Sequence, residues 1–470
     1  MPNLQTQGAS KPNPPELIRQ LGFFSATALV ISNMVGMVIF TATGYMAGDL
    51  GSASLILSCW AVGALFALAG AISYSELGIN FPSSGGEYVY LTRAYGPEWG
   101  FMTGWVSFFA GFSAPIAAAA LAFSDYLSHL IPALRADHAL LVVGSGVFTF
   151  RLSAGQLTAS ALIAAFTALN CFGVGRTAKV QNVLTSSKLL IIIGFVILGF
   201  AFGTGHWSNF SHPAVRTSTA PLETQFIVSL LWVMVGYSGW NAATYVAEEV
   251  RRPERTLPAA LAAGTAIVAV LYLGLNLIFI YATPLEAMKP GAGGEIAVGA
   301  ISAVNLFGSN IGGLVAGLLA LCIVSTVNAE VTVGPRVYYA MAKNRAFFAA
   351  AARVHPRWHT PVVAIVCQGA CAILMTATPF PDLVNYIGMS LTLFTVLSVA
   401  SLFVFRRRQP GWQRLRAVDF AYPLIPACYI LVGTAMVLFG LKLHPWASLS
   451  AFATVGAGAL VYRLGVRPAA

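Results

Sequence analysis

The chain has 470 residues, of which 57% are hydrophobic and only 9% are charged, whereas soluble proteins carry about 25% charged residues. The net charge of +10 could indicate nucleic-acid binding, but the basic residues cluster in short segments between apolar stretches, as the positive-inside rule describes for membrane proteins. Composition therefore excludes an ordinary soluble protein and argues against a nucleic-acid partner. It predicts an all-α polytopic membrane protein whose surroundings are the lipid bilayer.

Apolar stretches of about 20 residues, the length that crosses a bilayer as a helix, recur along the chain. They predict about twelve transmembrane helices in a single domain over residues 21–466, after a disordered tail at residues 1–20. The distribution of basic residues places both termini in the cytoplasm. Because no cleavable signal precedes the first span, we expect a multi-pass protein of the cell membrane, either an inner or a plasma membrane.

Two of these apolar stretches are interrupted by small and polar residues near mid-membrane depth. The first is VISNMVGMVIFTATGYMAG (residues 30–48), and the second is LLWVMVGYSGWNAATYVAEE (residues 230–249). Backbone within a membrane leaves the helix only where protein or a water-filled cavity satisfies its freed polar groups. Such a pair of interrupted helices indicates the binding site of a secondary transporter, and glycine packing between continuous helices is the alternative.

The order of the spans favours an inverted repeat. Five predicted spans fall in residues 21–204, five in residues 222–405, and two more in residues 418–466. An odd number of spans per block would place two repeated blocks in opposite orientations, so the interrupted helices would face each other at the midplane.

Several sequence blocks occur in an order that covers nearly the whole chain. They are SELG (75–78), FPSSGGEYVYL (81–91), GPEWG (96–100), QNVLT (181–185), YSGWN (237–241) and GPRVYYAMA (334–342). Together they resemble the amino acid–polyamine–organocation (APC) superfamily, and most closely bacterial relatives of its L-type amino acid transporter (LAT) branch. The resemblance implies the LeuT-like 5+5 inverted repeat with two C-terminal helices, and amino acid transport by alternating access.

The first interrupted stretch departs from the pattern of this family. Members carry a Gly-Ser-Gly-Ile-Phe motif there, and this chain has GMVIF at residues 36–40. Glycine allows the N–H groups of a half-helix to approach a substrate carboxylate, and the side chains of Met37 and Val38 would crowd that approach. Either the carboxylate binds N–H groups around Val35 and Gly36, or the substrate is smaller or lacks a carboxylate.

The predicted substrate site combines both interrupted stretches with one carboxylate. Glu330 lies well inside the eighth span, and the resemblance places it among residues that line the substrate cavity. It could receive a cationic group, take up a proton, pair with Arg336 or lie in a wet vestibule. The family's aromatic gate falls at Val235. The predicted substrate-binding residues are Asn33, Val35, Gly36, Met37, Val38, Val235, Gly236, Ser238, Gly239, Trp240, Asn241 and Glu330.

Lys188 lies inside the fifth span, where a charge costs about 2.5–3.5 kcal/mol. The resemblance implies that this lysine replaces the sodium ion of sodium-coupled transporters and ties the first and eighth spans together. Ser325 and Thr326 are its predicted partners. The alternative is a lysine that snorkels to the cytoplasmic interface.

The predicted function is sodium-independent secondary transport of amino acids, by exchange or by proton coupling. A transporter of polyamines or other organic cations with the same fold is the alternative, suggested by Glu330 and the altered first stretch. The sequence contains no enzyme, metal-binding or repeated channel-filter motif, so we expect no enzyme activity, catalytic residue, metal or cofactor.

The predicted partners are a small-molecule substrate, an amino acid or an amine, and the bilayer. Animal L-type transporters join a glycoprotein through a cysteine between the third and fourth spans. Residues 129–153 contain no cysteine here, so no disulfide-linked heavy subunit is expected, and the oligomeric state stays open.

Overall fold

The computed structural model describes residues 19–83, 85–128, 130–134, 139–143, 150–289, 297–378 and 380–466. The predicted disordered tail therefore lies outside the described residues, apart from its last two. Within the described part, nine helices are long and apolar enough to cross a membrane, and three shorter apolar helices accompany them. The prediction of an all-α polytopic membrane protein is confirmed.

The helices follow one another along the chain with a single hairpin between α6 and α7 in the described residues. They are α1 (Phe23–Met34), α2 (Ala42–Leu50), α3 (Ala53–Asn80), α4 (Glu87–Tyr95), α5 (Pro97–Val106), α6 (Ala114–Ser128), α7 (Ala154–Cys171), α8 (Val174–Phe202), α9 (Leu222–Tyr237), α10 (Ala242–Tyr245), α11 (Pro253–Ala282), α12 (Leu285–Met288), α13 (Val298–Lys343), α14 (Val362–Met375), α15 (Phe380–Arg408), α16 (Arg416–Asp419), α17 (Leu424–Leu443) and α18 (Pro445–Val461). The hairpin pairs β1 (Ala139–Val143) antiparallel with β2 (Phe150–Ser153).

Two spans are divided into half-helices. α1 ends at Met34, and a short 3-10 turn precedes α2. α9 ends at Tyr237, and α10 begins at Ala242, with Asn241 as its N-cap. We call residues 35–41 the first break and residues 238–241 the second break. Both breaks fall within the two stretches that the sequence singled out. Glycine in these stretches lowers their intrinsic preference for the α-helix.

Two other spans are irregular. α5 and α6 are joined through a π-helical segment, Ser107–Ser113, into one span of 32 residues, and π-helical turns inside helices are frequent at functional sites. α13 spans 46 residues with a kink at Gly308, whose φ is 79°. Glycine adopts this left-handed conformation without the steric cost that other residues pay.

The helices form a buried interior and a lipid-facing periphery. Most of α1 and α9 is buried, and the 3-10 turn of the first break is buried completely. Peripheral helices instead expose large apolar side chains, such as Leu190 on α8, Leu431 on α17 and Leu449 on α18. Since apolar side chains on the outside are stable in lipid, this arrangement is that of a helix bundle embedded in a bilayer.

A buried ion pair joins the end of α3 to α15. The Arg406 guanidinium donates to both carboxylate oxygens of Glu76 at 2.8 and 2.7 Å. The Trp412 indole and the Leu415 backbone N–H donate to the same carboxylate at 2.7 and 3.0 Å. Asp419 accepts a further bond from Arg406 at 2.9 Å. Each carboxylate oxygen of Glu76 thus accepts two hydrogen bonds. A buried charge is stable only with such partners.

We expect Glu76→Gln to lower the free energy of unfolding by about 3 kcal/mol. The substitution removes the buried carboxylate that pairs with Arg406 and leaves only the more exposed Asp419 as its anionic partner. Thermal unfolding of the purified protein in detergent measures this loss. The matched control is Glu98→Gln, which removes an exposed pair with Arg463 and should cost about 1 kcal/mol or less. Equal shifts for both variants would contradict the structural role of the buried pair.

Candidate functional site

A cavity lies between the C-terminal end of α1 and the second break. Its wall comes from α1, α4, the end of α9, the second break, α10, the π-helical segment of the third span, α13, α15 and α17. A mostly apolar cavity with a few polar groups is typical of small-molecule sites. The predicted substrate-binding residues that line it are Asn33, Val235, Ser238, Gly239, Trp240, Asn241 and Glu330.

The other predicted substrate-binding residues do not line this cavity. Met37 and Val38 are buried in the apolar core, because the 3-10 turn directs their side chains away from the cavity. A Cβ at Gly236 would meet Trp60 at 3.0 Å, so this glycine serves helix packing. Val35 and Gly36 lie in the first break behind the cavity wall, where the Val35 carbonyl accepts polar contacts from neighbouring spans.

The second break packs directly against the C-terminal end of α1 at Gly239. This residue has a φ of 96°, and a Cβ there would lie 2.7 Å from the carbonyl carbon of Asn33 and 2.9 Å from its oxygen. Both the backbone conformation and the close approach therefore require glycine. Asn33 is held in place by its own side chain, which donates to the Leu29 carbonyl at 2.8 Å.

One tyrosine satisfies freed carbonyls at both breaks. The Tyr272 hydroxyl, on α11, lies 2.6 Å from the Met34 carbonyl oxygen and 2.8 Å from the Gly236 carbonyl oxygen, so it can donate to either. Carbonyl groups freed within a membrane need such partners. Nothing in the sequence singled out Tyr272, because a tyrosine in a long apolar stretch is common.

Lys188 lies where the sequence predicted, between the first and eighth spans. Its ammonium is fully buried and contacts the carbonyls of Val35 and Ser32 at 2.5 and 3.3 Å and the Thr326 hydroxyl at 3.0 Å. These carbonyls belong to the C-terminal end of α1, which carries the negative end of the helix dipole. The lysine therefore does not snorkel to an interface.

The other predicted partner of the lysine belongs to a neighbouring polar network. The Ser325 hydroxyl accepts a bond from the Gln181 side-chain amide at 3.2 Å rather than from the lysine ammonium. Gln181 in turn accepts from Asn328 at 2.5 Å, and the Thr185 hydroxyl pairs with that of Ser32. This network joins α1, α8 and α13 beneath the cavity, and the sequence predicted only one of its members.

Glu330 is buried on the cavity wall, and its Oε2 atom has no hydrogen-bond partner among the residues that the structure describes. Arg336, the alternative partner, instead contacts the carboxylate of Glu249 at 3.5 Å and donates to the Thr332 carbonyl. A buried carboxylate oxygen without a donor is costly, so it is available to a donor that enters the cavity.

Glu87, at the start of α4, is a second carboxylate on the cavity wall. The Tyr74 hydroxyl donates to its Oε1 at 2.7 Å, and the side-chain amide of Asn241 donates to the same oxygen at 3.1 Å. Glu87 belongs to the short helix α4, which is not one of the membrane-spanning helices, and burial raises the pKa of its carboxyl to about 7. The sequence block that contains Glu87 was recognised, but nothing assigned it a role.

Backbone hydrogen bonds connect the beginning of the described chain to the residues that follow the second break. The Glu249 carbonyl accepts from the N–H groups of Gln20 and Leu21, both at 2.8 Å, and the Leu21 carbonyl accepts from Arg251 at 2.8 Å. The segment before α1 is thereby attached to the segment after α10. The ion pair between Glu249 and Arg336 extends this connection to α13.

Two interrupted helices around one cavity, with a buried cation at the end of a half-helix, define a secondary transporter. A family model described as amino acid permease matches residues 21–460, and the chain belongs to this family. The predicted membership of the APC superfamily is confirmed, and so is the prediction that the protein is not an enzyme.

Similar proteins align over nearly the whole chain. The serine/threonine exchanger SteT of Bacillus subtilis (strain 168) is 28% identical over 425 residues, covering 90% of this chain and 91% of that protein. The large neutral amino acids transporter small subunit 2 of Homo sapiens is 28% identical, covering 96% and 81%. The b(0,+)-type amino acid transporter 1 of Mus musculus is 27% identical, covering 96% and 88%.

We expect Gly239→Ala to abolish transport and to lower the apparent melting temperature, because its Cβ would overlap the Asn33 backbone and its φ would be strained by roughly 1–2 kcal/mol. Transport and thermal unfolding are measured on the same preparation. The control is Gly194→Ala on α8, where nothing lies within 4 Å of an added Cβ, and it should keep both properties. A fully active Gly239→Ala protein would contradict the close approach of the second break to α1.

Proposed function

We propose that this protein exchanges neutral L-amino acids across a cell membrane by alternating access. The observation that carries the proposal is a pair of broken helices that meet at one cavity, which is lined by Asn33 near the end of α1 and by the second break. Two relatives support the substrate class, since their names denote a serine/threonine exchanger and a transporter of large neutral amino acids. They also favour amino acids over the polyamine alternative.

The two breaks supply complementary groups for an amino acid. The C-terminal end of α9 presents the negative end of a helix dipole beside the cavity, and Asn33 at the end of α1 lies opposite, an arrangement that suits the substrate ammonium. The turn that begins at Val38 has N–H groups without partners inside the helix, which suit the carboxylate, although no residue of this turn lines the cavity in this conformation. Backbone donors serve this purpose even though Met37 and Val38 replace smaller residues, because both side chains are buried elsewhere.

The substrate side chain occupies the part of the cavity beside Val235, Gly388 and Leu391. Valine at position 235, where the family carries an aromatic residue, leaves space at this wall, and Gly388 adds more. These residues offer no charged group, which suits a neutral side chain. The free oxygen of Glu330 accepts a hydrogen bond from a donor group of the substrate.

Alternating access requires the contacts around Glu249 to open. The inverted repeat of residues 21–204 and 222–405, within one domain over residues 21–466, allows the two blocks to move relative to each other. From the positive-inside rule, these contacts and both termini face the cytoplasm, and the protein resides in the cell membrane. No disulfide-linked subunit is involved, because residues 129–153 have no cysteine.

Counterflow in proteoliposomes tests this proposal. Vesicles loaded with unlabelled L-serine should accumulate radiolabelled L-serine, L-threonine and L-leucine, and accumulation should require the internal amino acid. Putrescine tests the alternative substrate class in the same vesicles. Counterflow of putrescine without counterflow of any amino acid would overturn the proposal, as would uptake that does not depend on internal substrate.

We expect counterflow at equal rates in sodium and choline buffers, because the Lys188 ammonium occupies the oxygen-lined position of a coupling ion. Lys188→Ala should lose transport by about tenfold or more, since it removes the cation from the C-terminal end of α1 and leaves the Ser32 carbonyl buried without its donor. The control is Lys179→Ala, an exposed lysine of the same helix. Wild-type transport that stops without sodium, together with an active Lys188→Ala protein, would contradict the sodium-replacing role.

We expect Glu330→Gln to raise the KM for L-serine by about tenfold, because the substitution replaces one of the two carboxyl oxygens by an amide NH2 group, which donates and cannot accept. Initial rates of counterflow over a range of external L-serine concentrations measure this change. Glu223→Gln, at the exposed start of α9, should leave the KM unchanged. A KM for Glu330→Gln equal to that of the wild type would remove Glu330 from the substrate site.

A further inference from the structure

Glu87 joins three parts of the transporter. Its carboxylate accepts hydrogen bonds from Tyr74 on α3 and from Asn241 in the second break, while its own helix packs along α5 and α15. Asn241 also donates to the Tyr245 hydroxyl at 3.1 Å. The loop helix α4 is therefore attached through one carboxylate to the backbone segment that forms a wall of the cavity.

The surroundings of this carboxylate are polar but uncharged. No cation contacts Glu87 among the residues that the structure describes. Three charged groups of neighbouring elements have partners other than Glu87: Arg406 on α15 pairs with Glu76, Arg408 on α15 with the Ala94 carbonyl at the far end of α4, and Glu98 on α5 with Arg463. Asp382 and Arg407 are the other charged residues of α15. The titratable groups around Glu87 are Tyr74, Tyr90, Tyr245 and Tyr429, and Glu330 lines the same cavity.

We propose that Glu87 is a proton-binding site that controls how firmly α4 holds the second break. An ionised carboxylate accepts strong hydrogen bonds from Tyr74 and Asn241, whereas a protonated carboxyl is a weaker acceptor. The proton comes from water in the cavity and returns to it, so no other group changes its charge. The proposal rests on the proposed transport function, because the second break moves during alternating access.

The direction of the effect follows from the two protonation states. Because burial among neutral donors raises the pKa of Glu87 to about 7, both states are populated near neutral pH. As the pH falls through about 7, the carboxyl becomes neutral and its hold on Asn241 weakens. Exchange is then faster on the acidic side, provided that movement of the second break limits the rate.

Counterflow of L-serine at equal internal and external pH, from about pH 5.5 to about pH 8.5, tests this role. The wild-type rate should fall by about tenfold as the pH rises through this range. Glu87→Gln, which mimics the neutral carboxyl, should show a flat profile at the acidic rate. Glu98→Gln changes an exposed carboxylate outside the cavity and should keep the wild-type profile. A Glu87→Gln profile that follows the wild type would overturn the proposal.

Infrared titration of the purified wild-type protein provides a readout that needs no transport. The C=O stretch of a protonated carboxyl should disappear with a midpoint near pH 7. Glu87→Gln should lack this titration, and Glu87→Asp should restore it with a shifted midpoint. A titrating band without amino acid counterflow would contradict the proposed function and leave the proton site standing. A wild-type spectrum without the titration would overturn the proton site.

Discussion

The structure depends on the direct contact between its two broken helices. Backbone that leaves the helix inside a bilayer exposes N–H and C=O groups that lipid cannot satisfy. Gly239 allows the second break to lie against Asn33, and Tyr272 offers one hydroxyl to carbonyls of both spans. These contacts make the unwound segments stable, and the unwound segments in turn give a small molecule access to backbone groups.

Buried charges within the bundle, like the freed backbone groups, need partners that stabilise them. Lys188 lies at the C-terminal end of α1, where freed carbonyls and the helix dipole stabilise a cation. Glu76 is surrounded by donors on the side of α15. Glu330 and Glu87 differ from it because both face the cavity without a cationic partner in the described residues. Fully paired charges therefore hold helices together, and incompletely paired ones lie on the cavity wall.

Much of this could be predicted from the sequence, and the limits have physical reasons. Glycine and polar residues at mid-membrane depth located both breaks, and an isolated lysine in an apolar span indicated a buried polar partner. Side-chain direction was not predictable: Met37 and Val38 were expected beside the substrate, but the 3-10 turn buries them in the core. Tyr272 and Glu87 also escaped prediction, because their roles depend on contacts between residues far apart in the chain.

An experimental structure with a bound neutral L-amino acid tests the central claim most directly. We expect the ligand between the two breaks, with its ammonium near the C-terminal ends of α1 and α9 and its carboxylate near the turn at Val38. A ligand bound elsewhere in the bundle, or first and sixth spans that form continuous helices, would contradict the account.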